Sequence, residues 1–528
     1  MKHILIAFII LQSSFTFSQK WDNTYGNSYT EEYFHDVIEC YDKGYLISGA
    51  NEVSPYPNLL IKTDLNGSVL WGKKIQHNIY NVGKGAIDQN SIGEIAITRF
   101  LSFPSGDQWP SVIKLDSCGN KLWCRVYIDD EYSHGWLEDV ILYDNGDVLA
   151  LGKLFSLENY NERIFLYYID SNGTLIWRQS YASKENHPLV LERTGSEIHK
   201  FDNGYIINGW CAYPYPGNPG TGYTRPFFIQ IDSAFNEKWI LPFGINDSIM
   251  GEANDVIPLN DSVYMGVGYM WVAGSKQNSL YMFFNENGEE LGYTQITNED
   301  IGPEVQTNIP SSISRINDTL FISSVWYGPG VGYNSFGELL LDTAGNIYNL
   351  EPRPNSTGIS TLIKTFDNKY VIGCSYKHTN SDWDIYLYKI NDSLEMDTVY
   401  PGNYVYDSLC PYQIESGIID ITDCMLITDV GGVPTPKEYF AGLNTIPIKA
   451  YPNPVNMGEI TLEMQNTEHH EHMQLKCFDV FGKEVHSEKV YQFQGASKIN
   501  ISKWNEGMYI AIIFSDNKVV GQSKFVVQ

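Results

Sequence analysis

Three kinds of pattern in this chain have the residue types that chemistry needs. Asp129, Asp130, Glu131 and His134 fall in one short stretch, and His378, Asp382 and Asp384 in another. Paired carboxylates, or a carboxylate beside a histidine, can move protons in a hydrolase. His469, His470 and His472 form a short His-rich tract of the sort that holds metal. Asp64–Gly67 and Asp170–Gly173 read D-x-N-G, as a calcium loop begins. Spacing argues against all three. Neighbouring histidines on one hairpin do not converge on an ion without distant ligands. The D-x-N-G segments lack the further acidic ligands and the Glu at the twelfth position. Neither G-x-S-x-G nor H-E-x-x-H occurs, and acidic loop residues on an acidic chain are ordinary solvated surface. The sequence therefore names no catalytic residue, no metal and no cofactor.

A different signal comes from aromatic residues: Tyr56, Trp109, Tyr213, Tyr215, Trp271, Trp326 and Trp383. They stand in or beside variable segments such as SPYPN (54–58), SFPSGDQWP (102–110), AYPYPGNPGTGY (212–223), MWVAGSK (270–276), WYGPGVGYN (326–334) and KHTNSDW (377–383). Exposed rings offer flat apolar area at low entropy cost, as in sugar or protein recognition. Whether they form a site depends on what brings those segments together.

The elements that would do so are repeats. LLIKTDLNGSVLW (59–71) returns as VIKLDSCGNKLW (112–123) and LYYIDSNGTLIW (166–177), then in weaker form four more times. Trp71, Trp123, Trp177 and Trp239 recur at intervals of 52, 54 and 62 residues. A second landmark, Asp-Asn-Gly or a variant of it, keeps the same period at 143–147, 201–205, 259–264, 316–321 and 366–370. Seven units result: 34–75, 85–127, 137–181, 195–244, 253–296, 310–350 and 360–400. Each reads as four short Val/Ile/Leu/Tyr runs separated by turns, hence a four-stranded antiparallel meander. Such a period means a solenoid, a propeller or an array. Four strands per unit favour a seven-bladed β-propeller, in which the loops between second and third strands emerge on one face. Lys20–Gly26, with Trp21 in the Trp71 role, is expected to pair with the seventh unit and cover its open edge.

The bulk properties agree with an exported β protein. A formal net charge of -28 and the lack of any Lys/Arg-rich run exclude nucleic acid as a partner. Residues 1–18 read as a signal peptide, with Lys2, an apolar run Ile4–Leu11, and Thr16 and Ser18 before the cleavage point. No other stretch is apolar enough to span a bilayer. Export permits disulfides. Cys118 and Cys124 flank a turn and Cys410 and Cys424 a short loop, so the expected pairs are Cys118–Cys124 and Cys410–Cys424. The expected organisation is signal peptide 1–18, propeller 19–402, a disulfide-bearing linker 403–445 and a small β-sandwich 446–528.

Two resemblances add to this. The form G-Y-x-I-x-G … I-K-x-D-x-x-G-x-x-x-W, met at Tyr45–Gly49 and Ile61–Trp71, resembles divergent propeller repeats of exported bacterial proteins. The tail, with Tyr451-Pro452-Asn453-Pro454, Asp479–Lys483, Gly507-x-Tyr509 and the closing Lys524-Phe525-Val526-Val527, resembles the type A-like C-terminal sorting domain of type IX secretion substrates. That resemblance implies a translocon as partner and a secreted or cell-surface destination. The functional expectation is a binding or adhesion module for glycan or protein. The rival is an extracellular polysaccharide-active enzyme using carboxylates of the same face.

Overall fold

A computed structural model describes residues 20–528 except 28–29, 52–56, 77–84, 104–105, 158–161, 183–191, 216–217, 246–248, 273–275, 330–334, 379–381, 403, 429, 444–447, 457, 465–472, 480–482, 492–494 and 516–517. The expected signal peptide, Tyr56 and the 469–472 histidines therefore lie outside the described residues. The chain is all-β and forms two compact units, with the main boundary after Gly432; segments 176–179 and 234–236 group with the smaller one.

The larger unit is a succession of four-stranded antiparallel meanders. We number them as sheets 1–7 by their first strands: Glu32–Glu39, Ile87–Gln89, Tyr132–Leu142, Glu192–Phe201, Gly251–Asn260, Thr307–Arg315 and Ser356–Lys364. Sheets 5 and 6 are joined by one parallel bridge, Gln277↔Thr307. Sheet 7 has three strands from its own segment and takes its fourth from the other end of the chain. Asp22–Tyr25 pairs antiparallel with Trp383–Ile390, as the Lys20–Gly26 expectation required.

The Asp–Gly–Trp period has a physical cause. At the turn of sheet 1 the Asp64 carboxylate accepts the backbone N–H groups of Asn66 and Ser68, both at 2.8 Å. Gly67 closes that turn at φ +79°, where a side chain is strained. The tryptophan of one sheet then lies on the turn of the next. Trp123 Nε1 donates to Ser171 O at 2.9 Å, and Trp239 Nε1 to Glu286 O at 2.9 Å. A Cβ on Gly173 would sit 2.9 Å from the Trp123 ring. In sheets 2 and 4 the tryptophan of one repeat thus covers the turn of its neighbour. Asp64 is consumed by its own hairpin, as the hairpin reading of D-x-N-G expects.

Apolar clusters fill the gaps between consecutive sheets. Phe228 and Leu241 of sheet 4 meet Val256, Tyr264 and Phe284 of sheet 5. Val371, Ile385 and Leu387 of sheet 7 meet Phe34, Val37 and Ile47 of sheet 1. Because a sheet is covered on both faces, its strands are continuously apolar rather than alternating.

Segment 404–432 belongs to the same unit and corrects one expectation. Gly417–Asp420 runs parallel to Val69–Gln76, and Met425–Ile427 parallel to Lys121–Tyr127, so each outer strand gains a neighbour. The disulfides are Cys118–Cys410 and Cys124–Cys424, with Cα separations of 5.0 and 4.7 Å. The expected pairs Cys118–Cys124 and Cys410–Cys424 do not form. Cys118 lies in the turn itself, whereas Cys124 stands on the fourth strand opposite Ile113. No hairpin register faces the two. Ile414, Ile419 and Ile421 of the strap pack with Trp71 and Ile75, and Trp71 Nε1 donates to Asp407 Oδ2 at 3.2 Å.

In the smaller unit a three-stranded and a four-stranded antiparallel sheet share one apolar cluster, with Ile460, Leu462 and Ile499 from the first and Leu475, Ala511, Ile513 and Phe525 from the second. The motif elements of the tail meet here. Asn453 Oδ1 accepts Val526 N–H at 2.9 Å, and its amide donates to Lys524 O at 3.2 Å. Tyr509 is buried against Phe525, and Tyr451, Pro452, Pro454 and Lys524 stay exposed. Gly507 opens the strand Gly507–Ser515.

Candidate functional site

The first strands of all seven sheets line one cavity of about 880 Å³. A backbone irregularity precedes one register position in most of them, and that position carries Asp36, Asp139, Glu197, Asp255, Ser312 and Thr361 in sheets 1 and 3–7. In sheet 2 the place belongs to Ala86, opposite Thr98, and Asp88 follows two residues later.

Most of these side chains fasten one sheet to the next. Asp36 accepts Ile87 N–H at 3.1 Å, Asp88 accepts Leu142 N–H at 2.7 Å, and Asp139 accepts Ile198 N–H at 2.8 Å. Asp255 accepts Ile313 N–H at 2.9 Å and the Ser312 hydroxyl at 3.0 Å. Ser312 Oγ accepts Leu362 N–H at 3.4 Å, and the Thr361 hydroxyl returns to Asp36 at 3.4 Å. Bulged backbone leaves N–H groups without ladder partners, and a side-chain oxygen of the adjacent sheet satisfies them. Burial pushes Asp36 up to about 8 and Asp88 up to about 6, against the pull of those N–H donors.

The link between sheets 4 and 5 is different. Glu197 reaches one methylene further than an aspartate, and His199 follows it where sheets 1, 3, 5 and 7 carry Ile38, Ile141, Ile257 and Ile363. His199 Nε2 lies 3.4 Å from Glu197 Oε2, 3.5 Å from Asp255 Oδ1 and 3.1 Å from Asn208 Oδ1. Glu197 opens onto the cavity yet is hemmed in by protein, and burial pushes it up to about 7. Burial alone would hold His199 neutral, but the bond to Glu197 and the charge of Asp255 outweigh it and raise it to about 9.

A second layer lies two residues further along each second strand. There the register places Ala50, Phe100, Lys153, Trp210, Tyr269, Trp326 and Ser375 in sheets 1–7. Sheets 3–6 thus present Lys153, Trp210, Tyr269 and Trp326 to the cavity as one arc, with Glu138 and Glu252 beside them. Lys153 pairs with Glu138 at 2.9 Å and stands 4.6 Å from the Trp136 ring centroid. Glu252 is raised by burial, against a hydrogen bond with Tyr269 and the charge of Lys153.

Of the aromatics expected to form the site, Trp326 lines the cavity and Trp271, 37% exposed, packs edge-on to Tyr269. Trp383 lies elsewhere, between Tyr33 at 5.8 Å and Lys377 at 5.1 Å. Tyr213 and Tyr215 occupy strand positions opposite Tyr223 and Asn218, and their side chains are outside the described residues. Trp109 is a correction: it is only 8% exposed and belongs to the apolar cluster between sheets 1 and 2, because strand register turns it inward. Sequence reasoning missed Lys153, Trp210, Glu252 and Tyr269. They were findable by aligning the units on their first turn and asking which strand positions break the apolar rule. Among the acidic stretches, Asp129 is buried and accepts Glu131 N–H at 3.0 Å, while His378 pairs with Asp384 at 2.8 Å. None of these lines the cavity.

The export signal is shared with a known family. Residues 449–528 match the family model described as the secretion system C-terminal sorting domain, and the chain is a secreted or cell-surface protein. No helix among the described residues is long and apolar enough to cross a membrane. No curated protein matches the chain. Among solved structures, it is similar to an ulvan lyase of polysaccharide lyase family PL25, at 9% identity over 70% of this chain and 96% of that one, TM-score 0.42. It is also similar to a Hadza microbial sialidase, at 11% identity over 65% and 73%, TM-score 0.35. A third is a Bacteroides caccae protein of unknown function, at 9% identity over 61% and 94%, TM-score 0.32. At these scores none of the three bears on activity.

Proposed function

We propose that the larger unit is a seven-bladed β-propeller, delivered through type IX secretion by a type A-like tail, that binds a glycan or a protein segment in its cavity mouth. The observation that carries this is the arc Lys153, Trp210, Tyr269 and Trp326, four polar or aromatic side chains at one register on successive sheets. Aromatic faces suit the apolar faces of sugar rings, and Glu138, Glu252 and Lys153 supply hydrogen bonds that orient them. The charge balance selects among glycans. A single lysine among Glu138, Glu252, Asp139 and Asp255 favours a neutral chain over a polyanionic one.

A glycan array with the mature chain tests this. Binding to neutral glycans, lost in Trp326→Ala and in Trp210→Ala at unchanged unfolding midpoint, supports the reading. Undiminished binding by both variants refutes the site. The rival, polysaccharide cleavage, has one specific support: Glu252, raised by burial and bonded to Tyr269, is suited to act as an acid. New reducing ends released from a bound glycan, abolished by Glu252→Gln, would decide for the enzyme.

A further inference from the structure

Within the cavity, the link between sheets 4 and 5 departs from the others in two residues at once. Asp36, Asp88, Asp139 and Asp255 each take a backbone N–H from the next sheet. Glu197 takes none among the described residues, and its Oε2 faces His199 Nε2 instead, at 3.4 Å. A side chain that abandons a fastening role made at the other links has been released for another contact.

We propose that Glu197, His199 and Asp255 bind a divalent transition-metal ion, of the zinc class, on the cavity wall. Their three donor atoms lie within 4.8 Å of one another. Donors held at about 2.0–2.1 Å around a tetrahedral ion stand roughly 3.4 Å apart. His199 Nε2 is 3.4 Å from Glu197 Oε2 and 3.5 Å from Asp255 Oδ1, so two of the three edges already have the required length. One imidazole and two carboxylates suit zinc, manganese or iron(II) rather than calcium, which takes six to eight oxygens.

The rest of the site has the features such an ion needs. Asp255 is held rigidly: Oδ1 accepts Val256 N–H at 2.6 Å and Oδ2 accepts Ile313 N–H at 2.9 Å. Backbone N–H donors of this kind orient a ligating carboxylate. Three protein donors leave a fourth position facing the open cavity, as in a site where the metal meets water or substrate. The inference does not depend on a glycan being the ligand of the mouth.

The test uses the mature full-length chain, stripped with chelator and titrated with Zn²⁺ and separately with Co²⁺. The expected result is one equivalent of either ion per chain and a visible ligand-field absorption with Co²⁺. His199→Ala should weaken binding by more than the ~10–100-fold typical of an outer-shell partner. Glu197→Gln, which keeps shape and folding, should do likewise. A His469→Ala/His470→Ala/His472→Ala variant should bind as before. If binding is absent, or is lost in the tail variant and kept in Glu197→Gln, the proposal is overturned and the three residues are an ion-pair network alone.

Discussion

Breaking the strap's two disulfides should produce losses that do not add. Cys118–Cys410 and Cys124–Cys424 join positions 292 and 300 residues apart. Alone, either would close a ring of about 300 residues in the unfolded chain, worth about 6 kcal/mol in lost conformational entropy. With one in place, the other closes a ring of only about 20 residues, because the bridges are neighbours at both ends, and is worth about 3 kcal/mol. Cys118→Ala/Cys410→Ala and Cys124→Ala/Cys424→Ala should therefore each cost about 3 kcal/mol, and the fourfold variant about 9 kcal/mol. That exceeds the two single losses together by about 2–3 kcal/mol. Denaturant unfolding of the oxidised proteins measures the three differences by linear extrapolation. Limited proteolysis locates them: cleavage between 404 and 432 should rise first in the fourfold variant. Equal midpoints for wild type and fourfold variant would refute the reasoning, since they would mean that strand pairing and the packing of Ile414, Ile419 and Ile421 hold the strap unaided. Strictly additive losses would show that the two bridges do not share one ring.

Stability should fall as pH rises from about 5 to 8, because Asp36 is pushed up to about 8 in the folded protein and so favours folding in its protonated form; that contribution is complete below about 4 and lost through about 8. Asp36→Asn, which keeps an acceptor and cannot ionise, should flatten the decline in unfolding midpoint. A midpoint that rises over this window would contradict the assignment. Gly173→Ala should cost about 1–3 kcal/mol, from a positive φ and a Cβ pressed against Trp123, and thermal unfolding would show it. Deleting 446–528 should keep the chain from the cell surface, measured by surface labelling against fractionation; normal delivery would sink the sorting role.

Much of the fold was legible because repetition multiplies a weak local signal. One D-x-N-G turn is ambiguous between a calcium loop and a hairpin, but seven units with a recurring turn, four of them closing on a tryptophan, point to a stack of meanders. The N-terminal strand was legible for the same reason, since Trp21 fits the vacant place in the seventh unit. The disulfide pairing was not. Cys118 and Cys410 meet only because the strap turns back across sheets 1 and 2, and nothing near either cysteine encodes that path. The cavity lining was half legible. Trp326 announces itself in a Gly/Pro-rich segment, whereas Lys153, Trp210 and Tyr269 sit inside strands and look like core.

That difference says where specificity can reside in such a fold. The loops are variable in length, yet a loop residue such as Trp109 can still be drawn into the core by its register. The strand positions facing the cavity are constrained differently. Their backbones are fixed by the ladder and their neighbours by the fastening carboxylates, while their side chains face the cavity. A substitution there changes what the cavity presents without disturbing the apolar seams between sheets. The register makes the outcome uneven: Lys153, Trp210, Tyr269 and Trp326 crowd sheets 3–6, while sheets 1 and 7 carry only Ala50 and Ser375. Glu197 and His199 lie on the crowded side as well. A cavity lined by repeated sheets thereby has one wall unlike the others, and its polar and aromatic side chains are concentrated on sheets 3–6.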